Sequence, residues 1–117
     1  MDRFFNVPID IEHALTVVGR VQYILLQGVV GDSAPHLSLA RLGRLEEILQ
    51  GPGTEEEICL SASAEARLLV ADIQLEGVKS DRIGQRMRNL FELLGLGKEG
   101  ARIGLLCGED PNSLQRP

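Results

Sequence analysis

The chain has 117 residues, of which 44% are hydrophobic and 25% are charged, a composition typical of one globular domain and not of a disordered chain. Its formal net charge of −5 disfavours non-specific binding to nucleic acid or to an anionic membrane, because such binding depends on neutralising phosphate groups. With 3% aromatic residues and no tryptophan, the core must be built from aliphatic side chains, which favours helices packed against helices.

The first predicted helix follows Asp10, which is a good N-cap residue, and ends at about Gly28 or Gly31. Its apolar side chains cover an arc of about 200°, whereas a surface helix needs an apolar stripe of only about 100°. This excess predicts that the helix is covered on two sides, by other helices of the chain, by a second copy, or by both. Three members of the arc are candidate partner contacts: Val17, Val21 and Ile24.

The second predicted helix begins near Pro35, whose missing amide costs little in a first helical turn. Its inner stripe is formed by the aliphatic residues Leu42, Leu45, Ile48 and Leu49. The Gly-Pro-Gly sequence at 51–53 ends this helix.

The third predicted helix has the clearest start in the chain, because Thr54 and Glu57 have the spacing of a capping box. It runs to about Glu76 and has apolar residues on more than one face. Leu68 and Leu75, on the outer face, are candidate partner contacts. The alternation of apolar and polar residues at 71–76 leaves a strand as the alternative for that segment.

The fourth predicted helix is capped by Ser80, carries a regular apolar stripe, and ends at Gly95 with a Schellman motif. Residues 97–108 form either a short helix or an extended segment that packs back on the core. We expect residues 1–108 to form a single helical domain and residues 109–117 to form a flexible polar tail. The predicted fold is therefore all-α, a compact bundle of four main helices with a short C-terminal element.

Glycines also occur inside the predicted helices, at positions 19, 43 and 84. A glycine inside a helix costs about 1 kcal/mol relative to alanine. Each of the three is either tolerated or marks a close crossing of two helices.

A local cluster of basic residues lies at the start of the fourth helix, where four of the twelve lysines and arginines occupy ten positions. It is either a solvated helix face or a surface that docks on phosphates and base edges. The four basic residues of the cluster are Lys79, Arg82, Arg86 and Arg88.

The same region resembles the recognition-helix segment of LuxR-type helix-turn-helix domains. The residues that carry the resemblance are GVKSDRI at 77–83, Met87, NLF at 89–91 and LGL at 94–96. The resemblance implies a DNA-binding transcriptional regulator. The candidate contacts with duplex DNA that it implies are Lys79, Arg82, Gln85, Arg86 and Arg88. The chain departs from the family pattern at Glu76, where the family packs an apolar residue.

Residues suited to catalysis are few. Cys59 and Cys107 indicate neither a four-ligand zinc site nor a disulfide framework, and we interpret them as reduced thiols of a cytoplasmic protein. His13 and His36 have no metal-ligand partner at a suitable spacing. The sequence predicts no cofactor, no metal site and no membrane segment. An enzyme is not expected, although a reactive cysteine would reopen that possibility.

The function predicted from these features is macromolecular binding. The leading hypothesis is a protein–protein interaction subunit or adaptor that oligomerises, either as a homodimer or with another protein subunit, through spare apolar surface on the first and third helices. The alternative is a helix-turn-helix regulator that binds duplex DNA through the basic helix at 80–94.

Overall fold

The computed structural model describes residues 9–27 and 34–112, and over these ranges it consists of α-helices without a strand. The prediction of an all-α fold is confirmed. Residues 97–108, for which the sequence leaves two alternatives, contain a fifth helix. The strand alternative for residues 71–76 is wrong, because the third helix continues through Leu75. The five helices are α1 (Ile11–Gln27), α2 (His36–Leu49), α3 (Glu55–Leu75), α4 (Asp81–Leu93) and α5 (Gly97–Leu106).

The helix starts follow the side-chain chemistry of the sequence. The Glu57 amide donates to Thr54 Oγ1 at 3.1 Å, and the Thr54 amide donates to Glu57 Oε1 at 2.9 Å, so the predicted capping box is present. Ser80 Oγ accepts from the Ile83 amide at 3.2 Å, and Asp10 Oδ1 accepts from the His13 amide at 3.0 Å. The first helical turns of α1, α3 and α4 are therefore satisfied by neighbouring residues.

The end of α4 is a Schellman motif, as predicted. The Leu96 amide donates to the Phe91 carbonyl at 2.8 Å, and the Gly95 amide donates to the Glu92 carbonyl at 3.0 Å. Gly95 has a φ of 85°, which only glycine adopts without strain. The predicted ends of α1 at Gly28 or Gly31 lie outside the described residues.

The helices pack in the order α3, α2, α1, α4, α5. α1 lies between α2 and α4, while α5 packs closely on α4. α3 has one extensive neighbour, α2, and touches α5 along a short stretch. Among the described residues the core is aliphatic apart from the ring of Phe91. Its largest fully buried side chains are Phe91, Leu42, Leu45, Leu69, Ile73, Ile83, Met87 and Leu90.

The close packing of α4 on α5 depends on glycine. A Cβ on Gly84 would meet the Gly104 carbonyl oxygen at 2.5 Å, and a Cβ on Gly100 would meet the Arg88 carbonyl oxygen at 3.0 Å. Gly84 therefore marks a close helix crossing. A Cβ on Gly19 or Gly43 would meet no atom of the described residues within 4 Å, so these two are tolerated glycines in open space.

The segment after α5 corrects the predicted tail at its first residue. Glu109 is buried, its amide donates to the Gly104 carbonyl at 2.8 Å, and its carboxylate is held by Arg88. The space left by the glycines of the α4–α5 crossing accommodates this carboxylate. The Asp110 amide also donates to Asp81 Oδ1 at 2.7 Å. Residues 113–117 of the predicted tail lie outside the described residues.

Within residues 9–27 and 34–112, none of the helices combines the length and the hydropathy needed to cross a bilayer.

Candidate interaction surface

An uncovered apolar surface runs along α3. Leu60, Leu68 and Leu75 are 71%, 46% and 76% exposed. Ala64 and Ala71 are also exposed and lie between them in the sequence. Successive spacings of four, four, three and four residues place all five on one side of the helix. We call these five residues the α3 stripe.

The opposite side of α3 is buried in the core. Ala66, Leu69 and Ile73 are fully buried on the side of α3 that faces the rest of the bundle. The two apolar faces predicted for α3 are therefore both present. Only one of them finds a neighbour among the described residues, because α3 lies at an edge of the helix arrangement.

The α2 side of the stripe is bordered by charges that are already paired. Arg41 on α2 donates to Asp72 Oδ2 at 3.0 Å and to Glu65 Oε1 at 3.3 Å. Arg44 adds a longer contact with Glu65 at 3.7 Å. These pairs attach α3 to α2 and leave that border of the stripe close to neutral.

The α5 side of the stripe is bordered by a bidentate ion pair. Arg67 Nε and Nη2 each donate to the Glu99 carboxylate at 2.9 Å. These hydrogen bonds lower the pKa of Glu99 below its ordinary value, against the opposing effect of burial. The stripe is therefore an apolar surface between two neutralised borders.

The predicted partner contacts divide into two groups. Leu68 and Leu75 belong to the α3 stripe. Val17 and Val21 are 3% and 0% exposed and belong to the core, so the prediction that they contact a partner is wrong. The reason is that α2 and α4 cover both sides of α1. Ile24 is half-buried near the end of α1.

Sequence reasoning missed Leu60, the second most exposed leucine of the stripe. Its spacing from Leu68 and Leu75, at eight and fifteen residues, is the pattern that could have identified it.

The predicted DNA contacts at α4 differ in their exposure and in their side-chain partners. Lys79 and Arg82 are exposed, and Arg86 is half-buried. Gln85 Nε2 donates to Asp81 Oδ2 at 2.8 Å, so one predicted DNA contact is engaged by a carboxylate on its own helix. Lys79, Arg82 and Arg86 form no ion pair within the part of the chain that the structure describes.

Arg88 has a structural role within the chain, and its assignment as a DNA contact stays a prediction. Its Nε and Nη2 donate to the buried carboxylate of Glu109 at 2.8 to 3.0 Å, and Nη1 contacts Glu92 at 3.5 Å. The hydrogen bonds from Arg88 to Glu109 raise the pKa of the guanidinium above its ordinary value. Residue spacing within α4 does not reveal this role, because the partner of Arg88 lies 21 residues further along the chain.

The α3–α4 connection differs from the compact unit that the LuxR resemblance implies. A helix-turn-helix joins two packed helices through a turn of about 3–4 residues. Here residues 76–80 separate α3 from α4, and the helices that cover α4 are α1 and α5.

Glu76, the position at which the chain departs from the LuxR pattern, has a structural role. Its carboxylate accepts from the Leu37 and Ser38 amides at 2.7 and 2.8 Å and from Ser38 Oγ at 2.6 Å. Burial alone would raise the pKa of Glu76, but these hydrogen bonds outweigh it and hold the pKa below the ordinary value. Glu76 thus caps the N-terminus of α2 from the end of α3.

A cleft of about 560 Å³ is lined by one predicted protein-partner contact and one predicted DNA contact. Ile24 of α1 and Arg82 of α4 both line it, together with Glu76 and Val78 of the α3–α4 connection. A smaller cleft of about 310 Å³ lies between the end of α2 and the start of α3. The stripe leucines do not line either cleft.

The cysteines occupy apolar surroundings. Cys59 and Cys107 are buried, and burial raises the pKa of both thiols, that of Cys107 to about 11. A thiol with a raised pKa contains little of the nucleophilic thiolate at neutral pH. His13 Nδ1 lies 3.0 Å from Asp10 Oδ2 at the exposed start of α1. Among the described residues, no group of three or more His, Cys, Asp or Glu side chains has a metal-binding arrangement.

No protein-family model, curated protein or solved structure matches the chain. The chemistry of the α3 stripe itself indicates what can cover it. It presents aliphatic side chains in a line, with paired charges on both sides, which is a surface that another apolar helix can cover.

Proposed function

We propose that this protein is a non-catalytic interaction subunit that binds a protein chain through the α3 stripe. The observation that carries the proposal is the exposure of Leu60, Leu68 and Leu75 along one side of a single helix. Scattered exposed leucines need no explanation, whereas apolar residues aligned along a helix form a surface that a partner helix can cover.

The energetics favour covering the stripe. Fully burying a leucine is worth about 1.5–3 kcal/mol. Summed over their exposed fractions, the three leucines correspond to nearly two whole side chains, or roughly 3–6 kcal/mol on this side of an interface. Part of this is offset by the entropy lost on association. The paired charges at both borders reduce the desolvation cost that free charges would add.

The remaining chemistry is consistent with a binding role. Both thiols are buried with raised pKa values, which does not suit a nucleophile. Two free cysteines fit a reducing compartment, so a cytoplasmic location is part of the proposal.

DNA binding through α4 is the alternative proposal, and three residues support it. Lys79, Arg82 and Arg86 have no carboxylate partner among the described residues. The net charge of −5 and the engagement of Arg88 by Glu109 weaken this proposal. It ranks second for that reason.

The test of the leading proposal is the native mass of the full chain, alone and with any co-purifying chain. We expect the wild-type particle to exceed the 12.8 kDa of one chain. Leu68→Glu is expected to return it to one chain, because this substitution places a carboxylate in the middle of the stripe. Light scattering coupled to size-exclusion chromatography measures the mass, and circular dichroism verifies that the variant remains helical.

The matched control is Leu26→Glu. Leu26 is 58% exposed on α1, a helix without extensive contact with α3, so its substitution should leave the assembly intact. Single chains in every preparation, including the most concentrated one, would overturn the proposal. So would an assembly that Leu68→Glu leaves unchanged.

A further inference from the structure

The α3 stripe has the same order of residue types when read from either end. Leu60 and Leu75 lie at its ends, Ala64 and Ala71 lie inside them, and Leu68 lies at the centre. Both the leucine pair and the alanine pair are symmetric about a point between residues 67 and 68. Such a surface is self-complementary when two helices run in opposite directions. A two-fold dimer places the same patch of both subunits face to face, and with this order each leucine or alanine of the stripe meets an apolar residue of the partner's stripe.

We infer that the partner of α3 is α3 of a second copy of this chain, packed antiparallel about a two-fold axis near residues 67 and 68. This inference rests on the proposed function of the stripe and names its partner. In this arrangement Leu60 lies level with Leu75 of the partner subunit, and Ala64 lies level with Ala71 of the partner subunit. Leu68 lies beside its own counterpart at the axis.

The residue sizes along the stripe suit close helix packing. The central leucine is flanked on each side by an alanine, and each alanine is followed by a leucine. Small residues let helix axes approach to about 8–10 Å, and the leucines of one helix can then fit between residues of the other.

The charges at the two ends of α3 disfavour the parallel direction. Glu55 and Glu56 are exposed at its start and form no ion pair within the described residues. Lys79, exposed and without a described carboxylate partner, follows its end. Antiparallel packing brings the acidic start of one α3 to the end of the other, where the carboxylate of Glu76 and the ammonium of Lys79 together carry no net formal charge. Parallel packing would bring the two acidic starts together, which is repulsive.

The charge at the centre is compatible with a two-fold axis. Arg67 lies near the proposed axis, so two copies of it would approach each other. Each is neutralised within its own chain by the bidentate contact with Glu99 at 2.9 Å. The like charges are therefore compensated before the two chains meet.

The expected interface is small, so the dissociation constant of the dimer has to be measured over a range of concentrations. A helix of 21 residues is about 31 Å long, and one such helix pair gives an interface at the small end of specific complexes. We expect a dimer that dissociates on dilution. Sedimentation equilibrium of the full chain over a range of concentrations gives its dissociation constant.

The decisive experiment is a charge exchange between the two ends of the stripe. Leu60→Glu alone and Leu75→Lys alone should each raise the dissociation constant at least about 100-fold, because each introduces two charges into an apolar interface. The double variant, with both changes in the same chain, should recover most of this loss. In antiparallel packing each introduced glutamate lies level with an introduced lysine. In parallel packing, each would instead lie level with its own like charge.

The exposed positions of Leu60 and Leu75 mean that the substitutions do not disturb the core, and thermal unfolding verifies that the three variants fold. Recovery in the double variant should weaken as salt rises, because the new attraction is electrostatic. Leu60→Gln/Leu75→Gln is the neutral control and should remain dissociated.

Each other outcome has a distinct meaning. If Leu68→Glu dissociates the dimer but the double charge variant does not recover, antiparallel pairing is wrong while the use of the stripe stands. A chain that is monomeric alone and assembles through the stripe only with a different chain also overturns self-pairing. A dimer that is indifferent to Leu68→Glu overturns the proposed function itself.

Discussion

α1 and α3 have similar sequence patterns but different surroundings in the structure. Both have apolar side chains on more than one face, and the sequence predicts that both are covered on two sides. In α1 the coverage comes from the chain itself, because α2 and α4 pack on it and bury Val17 and Val21. In α3 one face is buried, and Leu60 and Leu75 remain mostly exposed on the other.

The difference shows what an amphipathic pattern specifies. The width of the apolar arc indicates how much of a helix's surface must be covered. It does not indicate whether the same chain or another chain covers that surface. That depends on where the helix lies in the packing order. α1 is central in that order, whereas α3 has α2 on one side and only a short contact with α5.

The largest expected effect is on α1. Val21→Glu should destabilise the fold by about 5 kcal/mol or more, which is comparable to the whole stability of a small domain, because Val21 is fully buried and a carboxylate there has no partner. Circular dichroism of the variant without denaturant, compared with the urea denaturation curve of the wild type, measures the loss. Loss of helical signal without added denaturant is the expected result.

A glutamate introduced on the exposed face of α3 tests the difference between the two helices. Leu68→Glu, measured at a concentration where the chain is monomeric, should lower the free energy of unfolding by no more than about 2 kcal/mol, because Leu68 is 46% exposed. Equal destabilisation of the two variants would contradict the distinction between a covered α1 and an uncovered face of α3.

The second effect concerns α4, the helix that covers one side of α1. Arg88→Met should destabilise the fold by about 3–5 kcal/mol, because the carboxylate of Glu109 would remain buried without its cation. Denaturation at neutral pH measures this loss. Adding Glu109→Leu to the same chain should recover part of it, because no buried charge then remains.

Arg82→Met is the control for that measurement, since Arg82 lies on the same helix but is exposed. If Arg88→Met proves no more destabilising than Arg82→Met, the ion pair between Arg88 and Glu109 does not hold α5 and its following segment on α4.

Local chemistry explains what could be predicted from the sequence. Thr54, Ser80 and Gly95 act on amides or carbonyls within a few residues, so their positions fix helix ends without knowledge of the tertiary fold. The apolar stripes of α2 and α4 likewise follow from residue spacing alone.

Contacts between distant residues explain what could not be predicted. Glu76 caps α2 from 38 or 39 residues away, and Glu109 binds Arg88 across 21 residues. No periodicity connects such pairs. For the same reason the sequence could not decide that Val17 and Val21 belong to the core while Leu68 and Leu75 remain outside.

An effect of intermediate size is expected at acidic pH. It concerns the hydrogen bonds by which Glu76, at the end of α3, holds the N-terminus of α2. The pKa of Glu76 is lower in the folded state than in the unfolded state, so its stabilisation is present above the ordinary pKa of about 4.5 and is lost as pH falls through the folded-state value. Glu76→Gln should cost about 1 kcal/mol at pH 7 and should reduce the fall in stability upon acidification.

Denaturation curves from pH 7 down to pH 3 give the comparison between wild type and Glu76→Gln. Glu47→Gln, a substitution of an exposed residue on α2, is the matched control. Parallel curves for wild type and Glu76→Gln would contradict a stabilising role for the Glu76 carboxylate.

The smallest expected effect is at the basic end of α4, the rival of the α3 stripe as a docking surface. Arg82→Ala with Arg86→Ala should change stability by no more than about 0.5 kcal/mol and should leave the native mass unchanged, because neither residue belongs to the stripe. A duplex-DNA titration at 50 and 200 mM salt tests the alternative. Affinity that falls steeply with salt and disappears in the double variant would favour a DNA-binding role. If protein assembly depends on Leu68 and DNA affinity is independent of both arginines, the uncovered face of α3 is the functional surface.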